Sequence, residues 1–226
     1  MITNKDYIKI VTEQPWQEME DHFEDLPKAE VKPICQLDIN TYDWIKYTID
    51  NVDQSQHKWE KAKSHYTGLA NKWAEVNNIV GRNKQNTYEL NYGMNGDTNE
   101  ELKELLGEDN IKKLNVDPSS ILIRLIVKMP GHGIAWHHDD AGSYAMKFPH
   151  LGLSGSNKRN DKGELKRLWW SIDEWRDGHA MQISKTVLTH WKAGEVFDIP
   201  FGQGHASSNF GYRPQYTVSF TGLVYD

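Results

Sequence analysis

The residues Ile121-Leu122-Ile123-Arg124-Leu125-Ile126-Val127-Lys128 form a short, largely β-branched and aliphatic run that stops at Pro130-Gly131. A run this short, closed by a turn dipeptide, predicts a strand. Similar pieces follow: Gly133 to Asp140, Leu151-Gly152-Leu153, Val196 to Pro200 and Tyr216 to Thr221. Short strands separated by Gly/Pro turns predict a jelly-roll sandwich, in which two sheets pack face to face and limit exposed edges. The fold class expected is therefore α+β, a jelly roll with N-terminal helices packed on it.

The texture before Pro118 is different. Trp44, Ile45, Thr48, Ile49 and Val52 recur at helical spacing, and Trp59, Ala62, Tyr66, Leu69, Trp73 and Val76 continue the rhythm. Thr98-Asn99-Glu100-Glu101 has the form of a capping box ahead of Leu102, Leu105 and Leu106. No Pro/Ser-rich linker divides the chain, so residues 1–226 are expected to form one domain. In that reading 1–118 is mainly helical, 119–226 is the jelly roll, and 154–191 is an insertion over the site. Within 154–191, Leu168 to Trp175 reads as a helix. Its basic loop Asn157 to Arg167 reads as a solvated face, and Trp169, Trp170 and Trp175 read as packing or as a lid.

Ten histidines are unevenly placed, seven of them between His132 and His205. Trp136-His137-His138-Asp139-Asp140 is the sharpest cluster. Side chains alternate along a strand, so His137 and Asp139 share one face, and His138 with Asp140 forms the competing register. A His-x-Asp pair needs one further histidine to make a 2-His-1-carboxylate site with open metal positions, the arrangement suited to non-haem Fe(II). His205, in the Gly-rich stretch Phe201-Gly202-Gln203-Gly204-His205, is the first choice and His190 the second. His132 and His179 read as ordinary surface or capping histidines. Arg213 follows ahead of the last strand, where a guanidinium suits the remote carboxylate of a dicarboxylic co-substrate. Arg124 and Lys128 share a face of the first strand, within reach either of such a ligand or of ordinary salt-bridge partners.

These residues resemble a known group. Arg124 to Asp139, with its strand–Pro-Gly–strand form, is similar to the entry of 2-oxoglutarate/Fe(II)-dependent oxygenases, most of all the aspartyl/asparaginyl β-hydroxylase-like proteins. His150-Leu151-Gly152-Leu153 resembles the next strand of that group and Phe197 to Asn209 its distal-histidine strand, so that the likeness covers residues 121–226. The resemblance implies a double-stranded β-helix with His137, Asp139 and His205 on Fe(II), and Arg213 on 2-oxoglutarate. The group commonly carries an arginine two residues before the histidine matched by His150. Phe148 stands there instead, leaving His150 or the adjacent Lys147 as the candidate contact to 2-oxoglutarate.

The activity so implied is dioxygenase chemistry using Fe(II), 2-oxoglutarate and O2. It would hydroxylate a C–H bond of an amino acid or peptidyl side chain and release succinate and CO2. The alternatives are a cupin-type metalloenzyme that does not use 2-oxoglutarate, and a non-catalytic jelly-roll binding module. A net charge of -6 argues against non-specific duplex binding, so the expected partner is a small molecule or a peptidyl side chain. Cys35 is the only cysteine, which excludes an intramolecular disulfide and cysteine-rich metal sites. No secretory pattern opens the chain and no apolar run reaches bilayer length, so a cytoplasmic location without membrane contact is expected.

Overall fold

A computed structural model describes residues 31–51, 59–61, 87–90 and 96–226. Two antiparallel sheets face each other. The larger contains β1 (Pro33–Gln36), β2 (Trp59–Lys61), β3 (Thr87–Leu90), β4 (Leu122–Lys128), β6 (Gly163–Ser171), β9 (Glu195–Asp198) and β11 (Gln215–Tyr225), in the order β1-β9-β6-β11-β4-β3-β2. The smaller contains β5 (His132–His137), β7 (His179–Ile183), β8 (Thr186–Leu188) and β10 (His205–Asn209), in the order β5-β10-β7-β8. From β4 onward the chain passes back and forth between the sheets, with only the β7–β8 hairpin staying within one. This is the path of a double-stranded β-helix, as the strand pattern predicts.

The central strands of the larger sheet are buried on both faces, which explains why β4 reads as a nearly continuous apolar run. Its outer side chains Ile123 and Leu125 join Leu168 and Trp170 of β6 and Val218 and Phe220 of β11 in one core. The helices α1 (Thr41–Asn51), α2 (Gly96–Leu106) and α3 (Glu108–Leu114) cover that face through Trp44, Leu102, Leu106 and Leu114. Asn99 of α2 is buried. Its Nδ2 donates to Ile121 O at 2.9 Å, and its Oδ1 accepts from Ile123 N at 3.1 Å, which pins the helix to the start of β4. A second core, Trp169, Met181, Ile183, Trp191, Phe197 and Ile199, lies between the sheets on the β6–β9 side.

Several expectations are corrected. Residues 154–191 are not an insertion: they supply β6, β7 and β8, and β6 lies at the centre of the larger sheet. Leu168 to Ser171 is strand rather than helix, since Leu168, Trp170 and Ile172 alternate onto the helical layer while Trp169 turns inward. With Trp169 3% and Trp170 0% exposed, these tryptophans are packing and no lid. His150 to Leu153 forms no strand; Pro149–Leu151 is a 3-10 turn. The first part of the chain is not only helical, because β1, β2 and β3 extend the larger sheet. Trp59 to Lys61 begins the expected second helix but is strand, and residues 62–86 of that helix lie outside the described residues. Helix α2 starts at Gly96, so Thr98 sits inside it rather than at its cap.

Candidate metal centre

β5 delivers His137 at its last residue, and Asp139 follows in the connection to α4 (Ala141–Ala145). The register is settled by capping. Asp140 accepts a hydrogen bond from Gly142 N at 2.9 Å as the N-cap of α4, and His138 is exposed. The alternative His138–Asp140 pair is thus turned away and employed elsewhere.

His205 opens β10 and lies directly opposite His137 in the β5–β10 ladder, with ring centroids 4.2 Å apart. The loop before it makes a turn closed by Gln203 N to Pro200 O at 3.0 Å, with Gly202 at φ 79°, the left-handed conformation required at the third position of a type II turn. Gly202 N donates to Asp139 O at 3.0 Å, so the carboxylate segment and the distal-histidine loop are tied together. Close packing of the strands matters too: a Cβ on Gly133 would meet Ser207 O at 2.4 Å.

Ligand atoms of His137, Asp139 and His205 all lie within 4.8 Å of one another, making a group able to hold a metal ion. The donor chemistry fits. His205 is 2% exposed, and its Nδ1 donates to Gln203 O at 2.9 Å, which fixes the tautomer and makes Nε2 the acceptor, engaged here by the Arg167 guanidinium at 3.0 Å. Burial, then the neighbouring Arg167 charge, pushes the His205 pKa down against the pull of Asp139, so the imidazole is neutral. Burial alone would raise the Asp139 carboxyl. The Arg167 guanidinium, the His205 contact and the Arg124 charge outweigh it and hold the group well below the usual carboxylate range. Asp139 Oδ2 is buried and makes no aligned hydrogen bond; its close charged neighbour is the Arg167 guanidinium, 2.7 Å away. Two imidazoles and one carboxylate suit Fe(II) and related divalent ions.

The residue that sequence reasoning missed is Arg167. It lies on β6, its side chain 7% exposed, with Nη2 2.7 Å from Asp139 Oδ2 and Nη1 3.0 Å from His205 Nε2. The signal was the alternation Leu165-x-Arg167-x-Trp169-x-Ser171 against Lys166-x-Leu168-x-Trp170, which places the arginine on the inner face of a strand and not in a solvated loop.

The other sequence-predicted contacts do not join the site. Arg213 is exposed in the turn after β10, at the opposite end of that strand from His205 and about 13 Å away along it. Lys147 and His150 are exposed beyond α4, with the His150 ring against Phe148. His190 is exposed and stacked on Trp175 at 4.0 Å, so it is no third ligand. His179, expected at the surface, is 2% exposed.

Below the three ligands the wall formed by β4 and β11 is polar. Ser219, Thr217 and Gln215 turn inward and are buried, paired rung by rung with Arg124, Ile126 and Lys128. Arg124 Nη2 donates to Ser219 Oγ at 3.1 Å and Lys128 Nζ to Thr217 Oγ1 at 3.4 Å, so both cations face the interior. The expectation that they share a face is met.

No family model matches the chain, and no curated protein matches it. Solved structures do match, among them three at low identity. A predicted oxalate decarboxylase from Thermotoga maritima has 12% identity and a TM-score of 0.30 over 52% of this chain and 75% of its own. A Cupin 2 conserved barrel domain protein from Salinispora arenicola has 12% identity and a TM-score of 0.29 over 46% of this chain and 63% of its own, less than two thirds of that protein. A conserved protein with a double-stranded β-helix domain from Klebsiella pneumoniae has 19% identity and a TM-score of 0.29 over 48% and 69%. Two of these three are described as a cupin barrel protein and a protein with a double-stranded β-helix domain. No activity passes from them to this chain. Among the described residues no helix is long and apolar enough to cross a membrane.

Proposed function

We propose that this protein is a 2-oxoglutarate- and Fe(II)-dependent dioxygenase that hydroxylates a C–H bond of an amino acid or peptidyl side chain, releasing succinate and CO2. The single observation that carries this reading is the convergence of His137, Asp139 and His205 at the mouth of a barrel whose inner wall bears cations.

Bound Fe(II) would supply three open coordination positions, enough to activate O2 beside a chelated keto acid. The chain's own residues do the rest. His205, held by Gln203 O, presents Nε2, and Gly202 N keeps Asp139 in place beside it. Arg167 offers a fixed positive charge next to the ligands, fitted to a carboxylate brought to the metal. It stands on the strand after the metal pair, where the resemblance sought an arginine near His150. The apolar wall of Trp169, Met181, Ile183 and Phe197 excludes water from one side of the interior.

A cupin-type metalloenzyme without a keto acid is the second reading, favoured by the exposure of Arg213. Succinate formation separates the two. Purified protein with Fe(II), O2 and 2-oxoglutarate should release succinate slowly even without a prime substrate, and His205→Ala should not. Stoichiometric metal binding with no succinate above the His205→Ala background would favour the second reading.

A further inference from the structure

The Arg167 guanidinium stands on two of the three ligand atoms at once. Its Nη1 is 3.0 Å from His205 Nε2 and its Nη2 is 2.7 Å from Asp139 Oδ2, while those two ligand atoms are 3.4 Å apart. The planar fork thus lies across the edge that a metal would bridge. A carboxylate oxygen has more than one lone pair to share, but a neutral imidazole has a single acceptor nitrogen with one. In His205 that nitrogen is Nε2, because Nδ1 donates to Gln203 O at 2.9 Å. Metal–nitrogen bonds are about 2.0–2.1 Å long. A donor already on that lone pair at 3.0 Å leaves no room for an ion.

Only one of the two partners can yield. His205 is paired with His137 on one side and Ile183 on the other, and its ring is pinned by the Gln203 contact. Arg167 is held by its backbone, opposite Thr221 in the ladder with β11 and through its carbonyl, which accepts from Ile199 N at 2.8 Å. Beyond that anchor its side chain runs through several rotatable bonds, so the guanidinium can turn aside while the sheet stays as it is.

Resting on the metal-centre reading above, we propose that Arg167 is a displaceable internal cation that competes with the metal for His205 Nε2. The guanidinium neutralises Asp139 and caps the imidazole until an ion arrives. It then swings off the lone pair, its charge remaining on the inner face of β6. The apparent metal affinity is the intrinsic one reduced by the fraction of molecules in which the guanidinium has withdrawn. The chain therefore binds metal more weakly than its three ligands alone would. An arginine that merely steadies a metal-bound carboxylate has the opposite effect, because removing such a support weakens the metal.

The test is calorimetric and needs no turnover. Full-length protein stripped of metal is titrated with Mn(II) as wild type, Arg167→Met and Arg167→Lys. Met removes both the charge and the fork. Lys keeps the charge, but its stem ends one bond short of the fork's nitrogens and cannot span both ligand atoms. Competition for the lone pair predicts Mn(II) binding tighter than wild type by tenfold or more in Arg167→Met and by threefold or more in Arg167→Lys. A smaller gain or a loss in Arg167→Met overturns the proposal. So does a gain below threefold in Arg167→Lys, the mark of charge repulsion alone. Both of these results leave the metal centre itself standing, whereas failure of wild type and both variants to bind Mn(II) overturns the metal-centre reading as well. Should Arg167→Met fail to melt cooperatively, Arg167→Gln takes its place under the same tenfold threshold.

Discussion

Replacing Arg167 by Met tests the electrostatics of the centre before any metal is added. The side chains of Arg167 and Asp139 are 7% and 26% exposed, with 2.7 Å between Nη2 and Oδ2. Removing one member of a buried pair costs about 3–5 kcal/mol, and partial exposure of the carboxylate reduces this to about 2–3 kcal/mol here. Met keeps most of the stem volume, so the loss is chiefly that of charge. The sign with pH follows from Asp139, whose folded pKa is depressed. Its contribution is fully present above the unfolded value of about 3.9 and is lost as pH falls through the folded one. Urea unfolding of metal-free protein should therefore show wild type ahead of Arg167→Met by about 2–3 kcal/mol at pH 7, with the gap narrowing towards pH 3. A gap below about 0.5 kcal/mol at pH 7, or one that is unchanged in acid, would refute the ion-pair account. Mn(II) should also narrow the gap at pH 7, because the ion takes over the neutralisation of Asp139.

Other consequences are quickly checked. His205, with its pKa pushed down by burial, costs stability as pH falls below its unfolded value of about 6.5, so metal-free wild type should weaken from pH 7 to pH 5 more steeply than His205→Gln in thermal unfolding. Gly133→Val would drive a side chain into Ser207 O, part β5 from β10, and lower stability by about 1–3 kcal/mol together with metal affinity, as read by chemical denaturation and Mn(II) titration. Asn99→Leu removes the side-chain hydrogen bonds to Ile121 O and from Ile123 N beneath α2, at a cost of about 2–3 kcal/mol in urea unfolding with no change in metal stoichiometry.

The legible parts of this molecule were those governed by local rules. Strand alternation pointed to His137 and Asp139 as a pair, although β5 ends at His137 and Asp139 is set by the connection to α4, and the β-branched run before Pro130 announced β4. What sequence could not supply came from pairing across the sheet. Arg167 joins Asp139 and His205 only because β6 lies at the centre of the larger sheet, and a loop-like stretch of Asn, Lys, Arg and Gly before it hid that strand. His150-Leu151-Gly152-Leu153 looked like the missing strand because its composition matched, yet Pro149 and the left-handed Gly152 make it a turn. Arg213 had the expected order in the chain but not the orientation, a property set by where the β10–β11 turn falls. Lys128 and Arg124 were seen to share a face, but which face was interior depended on the neighbouring β11.

The most direct examination of the central claim is optical. Anaerobic Fe(II)-loaded protein should develop a visible charge-transfer band when 2-oxoglutarate is added, because the keto acid then chelates iron held by His137, Asp139 and His205. The band should be absent in His205→Ala. A wild-type protein that binds Fe(II) stoichiometrically and shows no band, or a His205→Ala protein that shows it undiminished, would contradict the account.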